Sequence, residues 1–367
     1  MRIGVPRETA AHERRVALVP EAIARLAKAG HALAVQRGAG VAAGFPDAQY
    51  QAAGASIVAD GPELLAGSEL VLKVQRPSRD EAERLSAHAV LVCFLAPSTA
   101  QEILPVLAER KVTSLAMELV PRISRAQAMD ALSSQANLAG YKAVVIGAEA
   151  MNRVLPMMTT AAGTLAPAKV FVVGAGVAGL QAIATARRLG AVVSAFDVRP
   201  VVKEQVQSLG ASFVEAPVAA EGVGGYAKEL AEQEQRRVLE TVAKHVVAQD
   251  LVVTTALIPG RPAPRLITAE MVRSMKPGSV IVDLAAEAGG NCELTKAGDV
   301  VDVGGVLVLG PVDLAASVPF HASQTYSRNV LSLLQHLIGD DGKPRIDLSD
   351  EITGAMVVTH EGEIRKK

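Results

Sequence analysis

Short apolar runs alternate with longer amphipathic stretches along most of the chain, and this restricts it to folds assembled from strand–helix–strand units. In the first third, strands are predicted at Arg2–Val5, Ala32–Gln36, Leu70–Lys73, Val90–Phe94 and Thr113–Ala116. Further on they are predicted at Lys169–Val173, Val192–Asp197, Leu251–Thr255, Ser279–Asp283 and Val306–Leu309. Helices fit between them, for example Pro20–Ala29 and Thr99–Glu109, and Gly30 stands where a helix C-cap glycine belongs. Half of the residues are hydrophobic but only 3% are aromatic, so the core is built from Ala, Val, Leu and Ile. That composition suits parallel sheets covered on both faces.

Several functional classes are disfavoured at once. Basic and acidic residues number 37 and 38, which leaves no field to attract nucleic acid or an anionic membrane. A mean hydropathy of +0.27 prompts a search for membrane spans, but Lys169–Val173 is short and Val300–Leu309 is broken by Gly and charge. Neither approaches the roughly 18 apolar residues that a spanning helix needs. Cys93 and Cys292 form no CxxC pair, so a reducing cytoplasm and no disulfide framework are expected. The start, Met1–Pro6, reads as a first strand and lacks the regions of a signal peptide. The seven histidines have no metal-ligand spacing, and no GxSxG elbow or Walker A sequence occurs, so no metal site is expected.

The clearest chemistry lies after the strand at Lys169–Val173. Gly174-Ala-Gly176-Val-Ala-Gly179 is GxGxxG, a helical stretch Leu180–Leu189 follows, and the next strand ends at Asp197. Strand, turn, helix and an acid about 20 residues on together form the dinucleotide fingerprint. Gly174 permits the tight turn, Gly176 admits a pyrophosphate to the backbone, and Gly179 lets the helix pack on the strand. The helix start presents free N–H groups and a partial positive charge to phosphate. Asp197 can accept the adenosine ribose hydroxyls and repel a 2′-phosphate, which favours NAD(H) over NADP(H). Arg199 pulls the other way, since an arginine can pair with a 2′-phosphate.

Other candidates each carry two readings. Arg14, Arg15 and Lys73 lie near strand ends, as carboxylate binders or as surface charges, with the surface reading favoured. Arg122, Gln127, Asp130 and Ser133 form a polar cluster, the last three spaced to share one face of a helix. They line an interdomain cleft or form a solvated face. The insert from Ala216 to Tyr226, with Pro217, Gly222, Gly224 and Gly225, is a flap over a ligand or a surface loop. Ala227–Ala248 reads as a charged helix. Arg125 to about Val154 reads as one helix with Ser124 as N-cap, and Tyr326–Ile338 as an amphipathic helix returning to the first domain.

With these residues in view, the chain resembles the NAD(H)-binding alpha subunit (domain I) of proton-translocating NAD(P) transhydrogenases over nearly its whole length. The resemblance rests on Arg122–Tyr141, which looks like that family's RQD loop, and on Gly174–Gly179 with Phe196–Arg199. It rests also on Gly224–Glu229, Thr254–Gly260 and Lys276–Cys292. The start, Arg2–Glu8 and Glu13–Pro20, is similar to the sister family of alanine dehydrogenases. By that likeness Arg15 and Lys73 match the arginine and lysine that bind pyruvate. The likeness also implies a catalytic histidine, but the matching stretch, Val92–Pro97, has Leu95 and no histidine. An amino-acid dehydrogenase would then lack its proton carrier.

The transhydrogenase resemblance implies direct hydride transfer from NADH to NADP+ held by a partner subunit, coupled to proton translocation. The reacting carbons would have to lie about 3–3.5 Å apart, with the protein positioning them and excluding water. It implies that Arg122, Gln127, Asp130 and Ser133, as the catalytic set, hold the nicotinamide and its ribose, Gln127 reaching toward the partner's nucleotide. Gly225 and Tyr226 would lie on a loop closing over NAD(H). Val177, Asp197, Val198, Arg199 and Leu257 would line the adenosine side. It further implies a homodimer, an NADP(H)-binding beta subunit and a separate membrane-spanning subunit, with this chain cytoplasmic and peripheral at the inner face of the cell membrane. The chain reads as the split form, without a span of its own. An alanine-dehydrogenase-like activity, or an NAD sensor without chemistry, is the alternative.

The expected fold is α/β, two doubly wound Rossmann-like domains separated by a cleft. The first is discontinuous, residues 1–138 plus 316–367, and the second, residues 139–315, carries the nucleotide.

Overall fold

The computed structural model describes residues 1–215, 218, 231–258, 261–339 and 341–366. They divide into two compact units, Met1–Gln135 with Ala315–Lys367, and Ala136–Leu314.

The first unit is built on strands β1 (Arg2–Val5), β2 (Ala32–Gln36), β3 (Ala55–Val58), β4 (Leu70–Gln75), β5 (Val90–Phe94) and β6 (Thr113–Ala116). They are parallel in the order β3-β2-β1-β4-β5-β6, and Val357–His360 and Glu363–Ile364 extend the β6 edge antiparallel. The strand order reverses between β1 and β4. In such sheets ligands lie beyond the carboxyl ends of the strands at that point. Side chains alternate between two cores. Ile3, Leu70, Leu72 and Val92 meet Tyr326, Val330 and Leu334 of the helix Pro319–Leu337 on one face. Ala34, Val71, Leu91 and Cys93 meet Leu64, Leu104 and Leu107 on the other. The C-terminal helix therefore packs within this unit. It starts well before the expected Tyr326, with Pro319 in its first turn. Thr99–Glu109 is shorter than expected. A 3-10 turn at Pro97–Thr99 precedes a helix of Leu104–Glu109 that has Pro105 near its start.

The second unit begins within the helix Ala131–Ala150, which is followed by an exposed hairpin of β7 (Met158–Thr160) and β8 (Gly163–Leu165). Its sheet uses β9 (Lys169–Val173), β10 (Val192–Phe196), β11 (Ser212–Val214), β12 (Leu251–Thr254), β13 (Val280–Asp283), β14 (Val300–Val303) and β15 (Val306–Leu309). The order is β11-β10-β9-β12-β13-β15-β14, parallel except for β14, and it reverses between β9 and β12. Val170, Val172, Val193 and Val253 enter one core; Phe171, Val173, Val252 and Ile281 enter the other. Burial on both faces is why these strands read as nearly unbroken apolar runs. The charged helix is Glu232–Val246, shorter than Ala227–Ala248, and residues 227–230 lie outside the described set. Among the described residues, no helix is long and apolar enough to cross a membrane.

The helix predicted from Arg125 to Val154 is corrected in two ways. Ser124–Met129 is a 3-10 turn, and the α-helix is Ala131–Ala150. Ser124 is the first residue of that turn and not an N-cap, whereas Asp130 accepts from the backbone N–H of Ser133 at 2.9 Å and from its hydroxyl at 2.6 Å. Asp130 thus satisfies donors that the first helical turn leaves open. Gln127, Asp130 and Ser133 consequently do not share one face of a continuous helix.

Candidate functional site

In the second unit, the turn after β9 is shaped by its three glycines. Gly174 has φ +97, a left-handed conformation, and a Cβ there would stand 2.7 Å from Thr255 Oγ1. At Gly179 a Cβ would stand 1.9 Å from the carbonyl oxygen of Gly174, so helix and turn pack backbone to backbone. Gly176 differs, since the first atom a Cβ would meet is Arg199 Nη2 at 4.0 Å. The turn is therefore closed at its ends and accessible at its middle, which suits the approach of a pyrophosphate. Gly176 is also the N-cap of the helix Val177–Arg188 and supplies no side-chain cap, leaving the helix start to an anion.

The acid of the fingerprint is joined to the turn. Asp197 is buried, and its Oδ2 accepts from the backbone N–H of Ala175 at 2.8 Å. Arg199 Nη2 and Nε grip the two carboxylate oxygens at 2.6 and 2.9 Å. Val177 and Leu257 are exposed beside this region, and Val198 packs partly into the core. On the β12 side, Thr255 donates to the Gly174 carbonyl at 2.9 Å. Buried Asn291 accepts from Ala256 N–H and donates to the carbonyls of Ala256 and Pro264. Asp283, wholly buried, accepts from Thr254, Ala285, Cys292 and Thr295 and sets the loop carrying Asn291. Sequence reasoning assigned no role to Thr255, Asp283 or Asn291. Their signal was a polar residue at the end of an otherwise apolar strand and another after Gly289-Gly290. Gly225 and Tyr226, with the rest of the proposed flap except Val218, lie outside the described residues.

In the first unit, Arg122 and Gln127 are exposed, while Asp130 and Ser133 are half-buried and bonded to each other. The helix Pro319–Leu337 holds this segment. Asn329 donates to the Ala128 carbonyl at 2.8 Å and accepts from Ser134 Oγ at 2.7 Å. Arg125 pairs with Asp350 at 3.0 Å.

Around the carboxyl ends of β1 and β4 lies a buried charge network, which overturns the surface reading for two of the three basic candidates. Arg14 is exposed, but Arg15 and Lys73 are 4% and 1% exposed. Arg15 grips Glu13 in bidentate fashion at 2.8 and 2.5 Å and donates to Gln135 at 2.9 Å. Lys73 lies 3.0 Å from Glu81 and 3.5 Å from Glu8. Burial works to lower the Lys73 pKa, but Glu8 and Glu81 hold it above its ordinary value. Burial also pushes the Glu8 carboxyl up, against the pull of Lys73. Burial alone would raise Glu13 likewise, yet the Arg15 guanidinium keeps it below the ordinary carboxylate value. Leu95, at the position implied for a histidine, is fully buried. Among the described residues, no cluster of three His, Cys, Asp or Glu could hold a metal ion.

Comparison with known proteins bears on this geometry. Residues 4–139 match the family "Alanine dehydrogenase/PNT, N-terminal domain" and residues 143–367 match "Alanine dehydrogenase/PNT, C-terminal domain". The chain belongs to the alanine dehydrogenase/PNT family. Within that family, the first portion of the divided NAD(P) transhydrogenase alpha subunit of Rhodospirillum rubrum is 48% identical over 99% of this chain and 97% of its own. The alanine dehydrogenase of Halomonas elongata is 30% identical over 99% of this chain and 94% of its own. The crystal structure of a transhydrogenase from Sinorhizobium meliloti superposes with a TM-score of 0.90 at 46% identity, covering 99% of this chain and 100% of the other. The PNT-type relatives thus share far more identity with the chain than the dehydrogenase does, and family membership brings the NAD-binding Rossmann-type fold with it.

Proposed function

We propose that this chain is the NAD(H)-binding part of the alpha subunit of a proton-translocating NAD(P) transhydrogenase. The reading is carried by the turn after β9, open only at Gly176, with a buried carboxylate bonded to it. It is supported by likeness to the Rhodospirillum rubrum subunit over nearly the whole of both chains. When bound, NADH supplies the hydride. The N–H groups opening the helix Val177–Arg188 receive the pyrophosphate. Asp197 accepts ribose hydroxyls and opposes a 2′-phosphate, and Val177, Val198 and Leu257 flank the adenosine. Gly225 and Tyr226 close over the nucleotide. Arg122, Gln127, Asp130 and Ser133 hold the nicotinamide and its ribose, with Gln127 extending toward the nucleotide of the partner. Such residues position the reactants and exclude water, and no proton carrier is required. The hydride acceptor is NADP+ on a beta subunit, a membrane-spanning subunit couples transfer to proton movement, and this chain acts as a homodimer in the cytoplasm, peripheral at the membrane through those subunits.

The test mixes the purified chain, NADH, an acetylpyridine analogue of NAD and a recombinant NADP(H)-binding partner. Hydride exchange that needs the partner is expected, and its absence rejects the reading. Pyruvate and ammonia, given NADH and no second protein, should leave the absorbance flat because Leu95 carries no proton. Steady oxidation there would favour the dehydrogenase reading instead.

A further inference from the structure

A carboxylate offers about four lone-pair positions, and in Asp197 the protein fills them itself. Oδ1 accepts from the backbone N–H and the Nε of Arg199, both at 2.9 Å. Oδ2 accepts from Ala175 N–H at 2.8 Å and Arg199 Nη2 at 2.6 Å. The same Nη2 stands 4.0 Å from where a Gly176 Cβ would be, so the guanidinium borders the accessible part of the turn. The pair is largely shielded, with side chains 5% and 15% exposed. A ribose diol arriving at Asp197 therefore meets a guanidinium already in bidentate contact. The two backbone donors belong to the folded turn. The two side-chain donors can leave by rotation of the Arg199 side chain.

We propose that Arg199 is a displaceable stand-in for the ribose diol, and that it sets how strongly NAD(H) is preferred over NADP(H). The inference rests on the reading of the second unit as the NAD(H) site. For NAD(H), binding must break the Arg199–Asp197 pair. For NADP(H), the guanidinium both neutralises the carboxylate that would repel a 2′-phosphate and offers that phosphate a fork-shaped partner. Removing the guanidinium therefore acts with opposite sign on the two nucleotides, an effect that general damage to the site does not produce.

The experiment titrates the full-length chain, its R199Q variant and its R199K variant with NADH, following nicotinamide fluorescence, and with NADPH in competition against NADH. The chain has no Trp to confound the signal. Thermal midpoints confirm folding. R199Q should bind NADH several-fold more tightly and NADPH about tenfold more weakly than wild type. R199K, which keeps the charge without the fork, should fall between, and it carries the test alone if R199Q does not fold. The inference is overturned if the NADPH-to-NADH ratio of the variants stays within about twofold of wild type, if both nucleotides weaken together, or if wild type shows no competition by NADPH at all. A wild type that prefers NADPH, or binds neither nucleotide, instead rejects the NAD(H)-site reading itself.

Discussion

Gly176 and Gly179 lie three residues apart, yet the structure asks different things of them. An alanine at 176 meets nothing nearer than 4.0 Å and needs no unusual φ, so Gly176→Ala should leave the thermal midpoint unchanged. It should nevertheless weaken NADH binding about tenfold, because a methyl group stands where pyrophosphate approaches backbone. At Gly179 the same methyl collides with the Gly174 carbonyl at 1.9 Å. Gly179→Ala should destabilise the second unit by at least about 1–3 kcal/mol, visible as a lower urea midpoint without any ligand. Equal effects of the two substitutions on stability would contradict the geometry. Asp197→Asn keeps the size of the side chain but loses charge-assisted acceptance. It should weaken NADH about ten- to hundredfold while narrowing the gap to NADPH, as paired titrations would report.

Among the elements, the start of the helix Ala131–Ala150 offers the sharpest separation of folding from ligand contact. Asp130→Ala removes the cap on Ser133 and should cost about 1 kcal/mol of stability. Asp130→Ser restores a capping oxygen and most of that stability but no carboxylate, so partner-dependent hydride transfer should remain low in both variants if Asp130 touches the nucleotide. Full recovery of transfer in Asp130→Ser would reduce Asp130 to a cap. That Asp130 is the cap was not legible in the chain, because Ser124 and Asp130 offer equal capping chemistry and only the 3-10 turn between them decides. Strands buried on both faces, such as Arg2–Val5, Val90–Phe94 and Lys169–Val173, were read with their observed ends. Ala55–Val58 and Ser212–Val214 were missed, since each is an edge strand with few buried residues. Val306–Leu309 was read with its observed ends, but its neighbour Val300–Val303 was missed; Gly304 and Gly305, at φ +64 and +88, turn the chain between these two antiparallel strands. The glycine turn and its acid were legible because their spacing is local. The pairing of Lys73 with Glu8 was not, because it joins residues far apart in the chain that only the order of β1 and β4 makes neighbours.

At the scale of the whole molecule, buried protonated groups set a limit on the alkaline side. Burial pushes the Tyr326 and Tyr50 phenols above their ordinary 10.0, and the Cys93 and Cys292 thiols above their ordinary 9.0. Lys73, though opposed by burial, is held above its ordinary 10.5 by Glu8 and Glu81. In all five the folded chain keeps its proton at a pH where the unfolded chain has lost it. Their stabilisation is therefore complete below the unfolded values and lost as pH rises toward the folded ones. Since the signs agree, stability should fall progressively from about pH 9 upward. Four of the five, Tyr50, Lys73, Cys93 and Tyr326, lie in the first unit, so its unfolding should lead. Urea midpoints between about pH 8 and pH 10.5, read by hydrogen exchange on each unit, would show this. Tyr326→Phe removes one titrating group while keeping the ring that packs 5.4 Å from Phe94, and gives up the hydroxyl's bond to the Lys73 carbonyl. It should lower stability near neutral pH yet flatten the alkaline slope, whereas a variant slope as steep as wild type would remove Tyr326 from the account.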